Sequence, residues 1–263
     1  LFKLGAPGFS APQDPNIAAV LQARAQEKEV ELGFVGVDPS LPVNARALQT
    51  SAQQTNCSLA LALVGAFLKR KARPGLAPSD ILDGIDKFSW PGRFEVISED
   101  QNEWFLDGAH NELSVKHAVE WFAKCISENQ SSLALPCILI FTHISDQRDG
   151  QALLGTLASC IKNNNIRLEY VIFTTYQERQ DGSKRIGKHN KYVKIPSPEL
   201  LALYCDIWRK IDPEAVIVSE PSIEGALNFA RSIGKENGGM ETLITGSLHL
   251  VGGALNLLRP LLF

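Results

Sequence analysis

Short apolar runs alternating with amphipathic stretches constrain this fold more than any other feature of the chain. CILIFT (137–142), LEYVIFT (168–174), AVIVS (215–219) and TLIT (242–245) are rich in β-branched and aromatic residues and read as buried strands. Between them the spacing becomes helical. Leu154, Leu157, Ala158 and Ile161 fall on one face of a helix over Gly150 to Asn163, and Leu200, Leu203, Tyr204, Ile207 and Ile211 align in a second, opened by Pro198. IEGALNFARSI and SLHLVGGALNLL supply two more. Strands joined through helices of this length cannot pair as hairpins. They imply an α/β domain whose mostly parallel sheet carries helices on both faces.

This alternation starts after a different pattern. PGRFEVI and EWFLD read as two strands joined by the polar turn SEDQN, and a helix follows from Glu112 with Val115, Ala118, Val119, Phe122 and Ile126 in register. Before Trp90 the chain is less regular. Residues 1–12 are turn-rich, 16–27 helical in pattern, and 29–37 strand-like. Residues 55–71 (TNCSLALALVGAFLKRK) are apolar on most sides, which predicts a mostly buried helix. Its basic end suits a helix C-terminus, Pro74-Gly75 ends it, and Ser79 is expected to cap a short helix after it. The change of pattern puts a domain boundary near residue 88, giving domains 1–88 and 89–263.

Composition excludes more than it assigns. The 263 residues are 44% hydrophobic and 21% charged with a net charge of -3, so no electrostatic case exists for nucleic acid or an anionic membrane. No apolar run is long enough to span a bilayer. The five cysteines are dispersed singly, as expected for reduced core thiols, and the glycosylation-like triplets at Asn56 and Asn129 are then accidental.

In an open parallel sheet, ligands bind beyond the carboxyl ends of the strands. Three turns fall there. Asp107-Gly-Ala-His110-Asn111 follows WFL, Ser145 to Asp149 follows 137–142, and Gly246-Ser247 follows TLIT. Pro91-Gly92-Arg93 opens the first strand of the same domain. Each admits two readings. Residues 107–111 form either a tight turn in which Asn111 caps the helix, or a site where Asp107 accepts hydrogen bonds from a ligand's hydroxyls under His110. Arg93 is either a solvated cation or a phosphate or ring contact. Arg148 and Asp149 read as a structural pair, Ser247 as at least an N-cap, and His117, His143 and His189 as structural. GSKRIGKH (182–189) is a false phosphate loop, one residue short and followed by no helix. Taken alone, the residues describe a crevice with an acid, a histidine and an arginine.

Five stretches in order resemble one family. LFKLGAP, QQTNCSLALAL, WPGRFEV, WFLDGAHN and TGSLHLVGG are similar to segments of the folylpolyglutamate synthases of the Mur-ligase-like superfamily, the last resembling the eukaryotic form. Residues 175–196 have no counterpart. The resemblance implies a Rossmann-like carboxyl-terminal domain at 89–263, preceded at 1–88 by the end of an α/β ATPase domain. It implies a cytoplasmic or mitochondrial ligase, monomeric, that joins L-glutamate to the γ-carboxylate of tetrahydrofolate polyglutamates through an acyl phosphate, using ATP and Mg2+. Carried over by position, Asn56, Arg93 and Asp107 match nucleotide-binding residues, and His110 and Ser247 match residues around the incoming glutamate. No metal ligand is expected in 1–263; the phosphate loop and metal ligands are expected before Leu1, so the chain by itself is expected to be inactive. Ala52 stands where the family commonly has histidine. Two alternatives stay open: a related dihydrofolate synthase-type ligase, and a non-catalytic relative that only binds.

Overall fold

A computed structural model describes residues 2–42, 45–128, 134–145, 149–183 and 197–259. Arg148, His189, Asn129 and most of the 182–189 loop lie outside them. The described chain divides into two compact units, Leu1–Ser89 and Trp90–Phe263.

In the smaller unit, β1 (Gly8–Ser10) pairs in parallel with β2 (Leu32–Phe34), α1 (Pro15–Glu27) lying between them in sequence. The strand expected over 29–37 contracts to three residues, and a strand forms inside the turn-rich 1–12 segment. A 3-10 turn (Arg46–Leu48) leads to α2 (Ser51–Arg70) and α3 (Pro78–Asp86). Thr50 caps α2, its hydroxyl accepting the Gln53 N–H at 3.2 Å. The expectation of a mostly buried helix is wrong for α2. Only Ser58 is buried, while Leu63 is 51% and Phe67 59% exposed. The packed cluster of this unit, built on Leu41, Leu48 and Ile85, touches Cys57 and Leu61 along one stripe of the helix, and a two-stranded sheet offers nothing for the other sides. Ser79 does not cap α3 either. Pro78 opens that helix after Ala77, whose N–H is taken by the Asp80 carboxylate at 2.8 Å.

The larger unit is the expected α/β layer structure. Its strands are β3 (Glu95–Glu99), β4 (Asn102–Leu106), β5 (Cys137–Phe141), β6 (Tyr170–Phe173), β7 (Val216–Ser219) and β8 (Met240–Thr245). Its helices are α4 (Glu112–Glu128), α5 (Gly150–Asn163), α6 (Pro198–Ile211), α7 (Ile223–Asn237) and α8 (Leu248–Leu258). The sheet order is β3-β4-β8-β5-β6-β7, with β3 antiparallel to β4 and the other pairings parallel. Alternate residues of each strand face opposite layers. Phe105, Leu139, Phe141, Val171 and Phe173 pack under α4, α5 and α6; Leu106, Ile138, Ile140, Ile172 and Ile244 pack under α7 and α8.

That order decides where a crevice opens. The chain leaves β4 and β5 toward one face, into α4 and α5, whereas it leaves β8, which lies between them, toward the other face and α8. Adjacent strands whose exits diverge leave a gap at their carboxyl ends.

Candidate functional site

The register of β4, β8 and β5 brings their exits together. Leu106 lies opposite Ile244 and Phe141 opposite Thr245, and the Asp107 N–H donates to the Ile244 carbonyl at 3.2 Å. Gly108 is there for proximity: a Cβ on it would come within 2.4 Å of the Leu248 side chain at the start of α8. Gly246 is required more strictly. Its φ is +105°, and a Cβ would meet Phe141 and the Thr142 carbonyl at 2.6 Å.

Asp107 is 1% exposed. Its carboxylate accepts the Phe94 N–H at 3.0 Å and lies 3.6 Å from the Arg93 guanidinium, whose side chain is 31% exposed. Burial is the main influence on this acid and pushes its pKa up from 3.8 to about 6, against the Phe94 N–H, Arg93, the Ala109 N–H and His110, which all favour the charged form. One of the two sequence readings had Asp107 accepting hydrogen bonds from a ligand's hydroxyls. In the structure the carboxylate is covered and held by Arg93 and the backbone, and Arg93 is the exposed member of the pair. The Gly92 turn that carries Arg93 sits on α8, where a Cβ at Gly92 would meet Val251 at 2.7 Å.

His110 is half-buried, and its Nδ1 carries a proton donated to the Gly108 carbonyl at 2.9 Å. Asn111 caps α4, its side-chain oxygen accepting the Ser114 N–H at 2.9 Å, while the Ser114 hydroxyl accepts the His110 and Asn111 N–H groups. The capping reading of this turn therefore holds, and it leaves the imidazole facing outward. His110, Asn111, Glu112 and Leu113 line a cavity of ≈ 410 Å³ together with Asp149, Ala152 and Leu153 at the start of α5. That volume suits a small molecule. Asp149 caps α5, accepting from the Gln151 and Ala152 N–H groups, so its carboxylate has a structural task.

Ser247 caps α8, its hydroxyl accepting the His249 N–H at 3.1 Å. The structure thus brings Arg93, Asp107, His110 and Ser247 to neighbouring exits of one sheet. Asn56 belongs to the smaller unit, exposed on α2. His143 is structural, as expected: buried at the end of β5, it donates from Nδ1 to the Gly246 carbonyl at 2.9 Å. His117 lies on α4 beside Glu120.

Tyr176 was missed. It falls where the polar stretch 175–196 begins, and nothing local distinguishes it from loop. The described part of that stretch is firmly held: the Ile223 and Glu224 N–H groups donate to the Gln177 and Glu178 carbonyls at 2.8 and 2.9 Å, tying it to the start of α7. Among the described residues, no group of three or more His, Cys, Asp or Glu side chains is placed to hold a metal ion, and no helix is long and apolar enough to cross a membrane.

No family model matches the chain. Among curated proteins it is 34% identical to a folylpolyglutamate synthase of Neurospora crassa, over 98% of this chain and 51% of that protein. It is 27% identical to a mitochondrial folylpolyglutamate synthase of Cricetulus griseus, over 99% of this chain and 58% of that protein. The chain therefore spans about half the length of the curated relatives it matches. Among solved structures, Mycobacterium tuberculosis folylpolyglutamate synthase, complexed with ADP and AMPPCP, superimposes with a TM-score of 0.68 at 16% identity, covering 95% of this chain and 55% of that one. A bifunctional folylpolyglutamate synthase/dihydrofolate synthase of Yersinia pestis, complexed with AMPPNP and Mn, gives 0.65 at 20% identity, covering 98% and 54%.

Proposed function

The chain belongs to the folylpolyglutamate synthase family, and from that premise we propose that it takes part in ATP-dependent ligation of L-glutamate to the γ-carboxylate of a folylpolyglutamate. In this reading the folate carboxylate attacks the γ-phosphate of ATP and releases ADP. The amine of glutamate then attacks the acyl phosphate carbon, loses its proton as the amide forms, and expels inorganic phosphate. Residues 1–88 belong to the ATPase domain of the ligase and 89–263 to its carboxyl-terminal domain. Such a protein works as a monomer in the cytosol or the mitochondrion.

The observation that carries the reading is the Arg93–Asp107 pair at the same sheet edge as His110 and Ser247. A half-exposed guanidinium held from behind by a buried carboxylate is suited to contact a nucleotide through its remaining N–H groups, and fixing it in advance lowers the entropy lost on binding. Asp107 then serves the nucleotide through Arg93, while Asn56 keeps a nucleotide-binding role only as a family match by sequence position. His110 and Ser247 hold the incoming glutamate, for which the cavity beside His110 has adequate volume. Magnesium would spread the charge of the ATP phosphates. The described residues do not fit it, since the most buried carboxylate of the site is already engaged by Arg93 and two backbone N–H groups, so no step is assigned to metal ligands here.

The test is Asp107→Ala in the full-length protein. Loss of Arg93's anchor is expected to lower ATP-dependent glutamate ligation roughly tenfold or more, with the far-ultraviolet spectrum unchanged. Unchanged turnover overturns the site. The Yersinia pestis likeness supports a second reading, a ligase that also accepts a pteroate; ligation of glutamate to dihydropteroate by the same preparation decides it. Thermal stabilisation by ATP with no ligation on either acceptor favours the non-catalytic alternative.

A further inference from the structure

The turn that carries Arg93 is left-handed on both sides of it. Gly92 has a φ of +74° and Phe94 one of +47°, a region that a bulky L residue enters only when its surroundings hold it there. A chain entering an edge strand needs no such turn, since extended backbone would serve. Here the turn is gripped from both faces of the sheet. On the α4 side the Phe94 ring packs edge-on against Trp121, centroids 5.5 Å apart, and the Phe94 N–H donates to the Asp107 carboxylate at 3.0 Å. On the α8 side Gly92 lies so close to Val251 that no Cβ fits. The Gly92 carbonyl accepts the Gly108 N–H at 3.0 Å, and the Arg93 N–H donates to the Trp90 carbonyl at 3.1 Å.

The Gly92 N–H is taken by a charged side chain. Glu95, the first residue of β3, accepts it at 2.6 Å through Oε2, while its Oε1 accepts from the Arg259 guanidinium at the end of α8. The Glu95 side chain is 12% exposed and that of Arg259 55%. A peptide N–H bonded to a carboxylate is held about twice as strongly as one bonded to a neutral oxygen, and the arginine offsets the cost of keeping the charge under cover. Two carboxylates therefore bracket Arg93. Asp107 takes the N–H of the residue after it, and Glu95 the N–H of the residue before it.

We propose that Glu95 is a positioning residue for nucleotide binding: seated by Arg259 at the end of α8, its carboxylate holds the left-handed turn that presents the Arg93 guanidinium to the nucleotide. The proposal rests on Arg93 as the nucleotide contact in the reading above. Glu95 itself touches no substrate. It acts on the backbone beneath Arg93, as Asp107 acts on the guanidinium.

The experiment measures KM for ATP, KM for L-glutamate and kcat in the full-length protein carrying Glu95→Ala, Glu95→Gln, Arg259→Glu, Arg93→Ala, or Glu95→Ala together with Arg93→Ala. Glu95→Ala is expected to raise KM for ATP roughly tenfold, as for loss of a hydrogen bond to a charged group, without moving KM for L-glutamate. Glu95→Gln keeps an oxygen for the Gly92 N–H and is expected to stay within about threefold of the parent. In the Arg93→Ala background, Glu95→Ala is expected to add nothing, which a glutamate serving the fold alone would not show. Arg259→Glu alters an exposed side chain, so it supplies an arm independent of folding defects at Glu95, and it is expected to raise KM for ATP roughly threefold. The proposal is overturned if Glu95→Ala leaves KM for ATP at the parental value, if both KM values rise together, if the Glu95 and Arg93 effects multiply, or if Arg259→Glu leaves KM for ATP unchanged. A parental KM for ATP in Arg93→Ala overturns the nucleotide reading itself, and this inference with it.

Discussion

Replacing Asp107 by Asn should change how stability depends on pH, by an amount set by burial. The carboxyl is 1% exposed, and its pKa in the fold is about 6 against 3.8 for the free side chain. An acid whose pKa is raised on folding binds more protons native than unfolded, so its contribution is most favourable below pH 3.8 and is lost as pH rises through 6. A shift of about two units corresponds to roughly 3 kcal/mol of destabilisation at neutral pH relative to acid. Asparagine keeps an oxygen for the Phe94 N–H and carries no charge to desolvate. Urea unfolding followed by tryptophan fluorescence reads the effect, because Trp104, Trp121 and Trp208 are buried in the larger unit. Groups common to both proteins cancel in the difference. The advantage of Asp107→Asn over the parent should therefore grow with pH, by roughly 1.5 kcal/mol between about pH 5 and about pH 7.5. A difference that stays level, or grows toward acid, refutes the argument that desolvation outweighs Arg93 at this carboxylate.

Two further outcomes follow from the packing. Gly246→Ala places a Cβ 2.6 Å from the Thr142 carbonyl at a φ of +105°, and should lower unfolding free energy by about 2–4 kcal/mol, read by the same urea titration. The Cys137 thiol is buried next to Glu241 and Glu169, and its pKa is pushed up to about 12, first by burial and then by those carboxylates. It should resist iodoacetamide at neutral pH in the native protein while reacting after denaturation, as mass spectrometry of the alkylated peptides can show.

The turn that holds Asp107 and His110 was visible in the sequence because its ingredients are local. A buried apolar run ends at Leu106, and Asn111 precedes a helical period, so a turn at a strand's carboxyl end is dictated by neighbours in the chain. Helix starts followed the same logic where proline or serine fixed them, as at Pro198 and Ser247. Apolar spacing failed for α2, because burial depends on what another segment places against the helix, and spacing alone carries no information about that.

By itself, then, the sequence determined the kinds of element, their order and the turns able to carry polar groups, since backbone geometry and hydrophobic period act within a few residues. Tertiary structure alone decided that β8 enters between β4 and β5, that Asp107 is buried against Arg93, and that the Tyr176 hydroxyl reaches the Ile144 N–H from a stretch of apparent loop. Each of these joins residues distant in the chain, and depends on strand order and on exclusion of water, which no local pattern encodes.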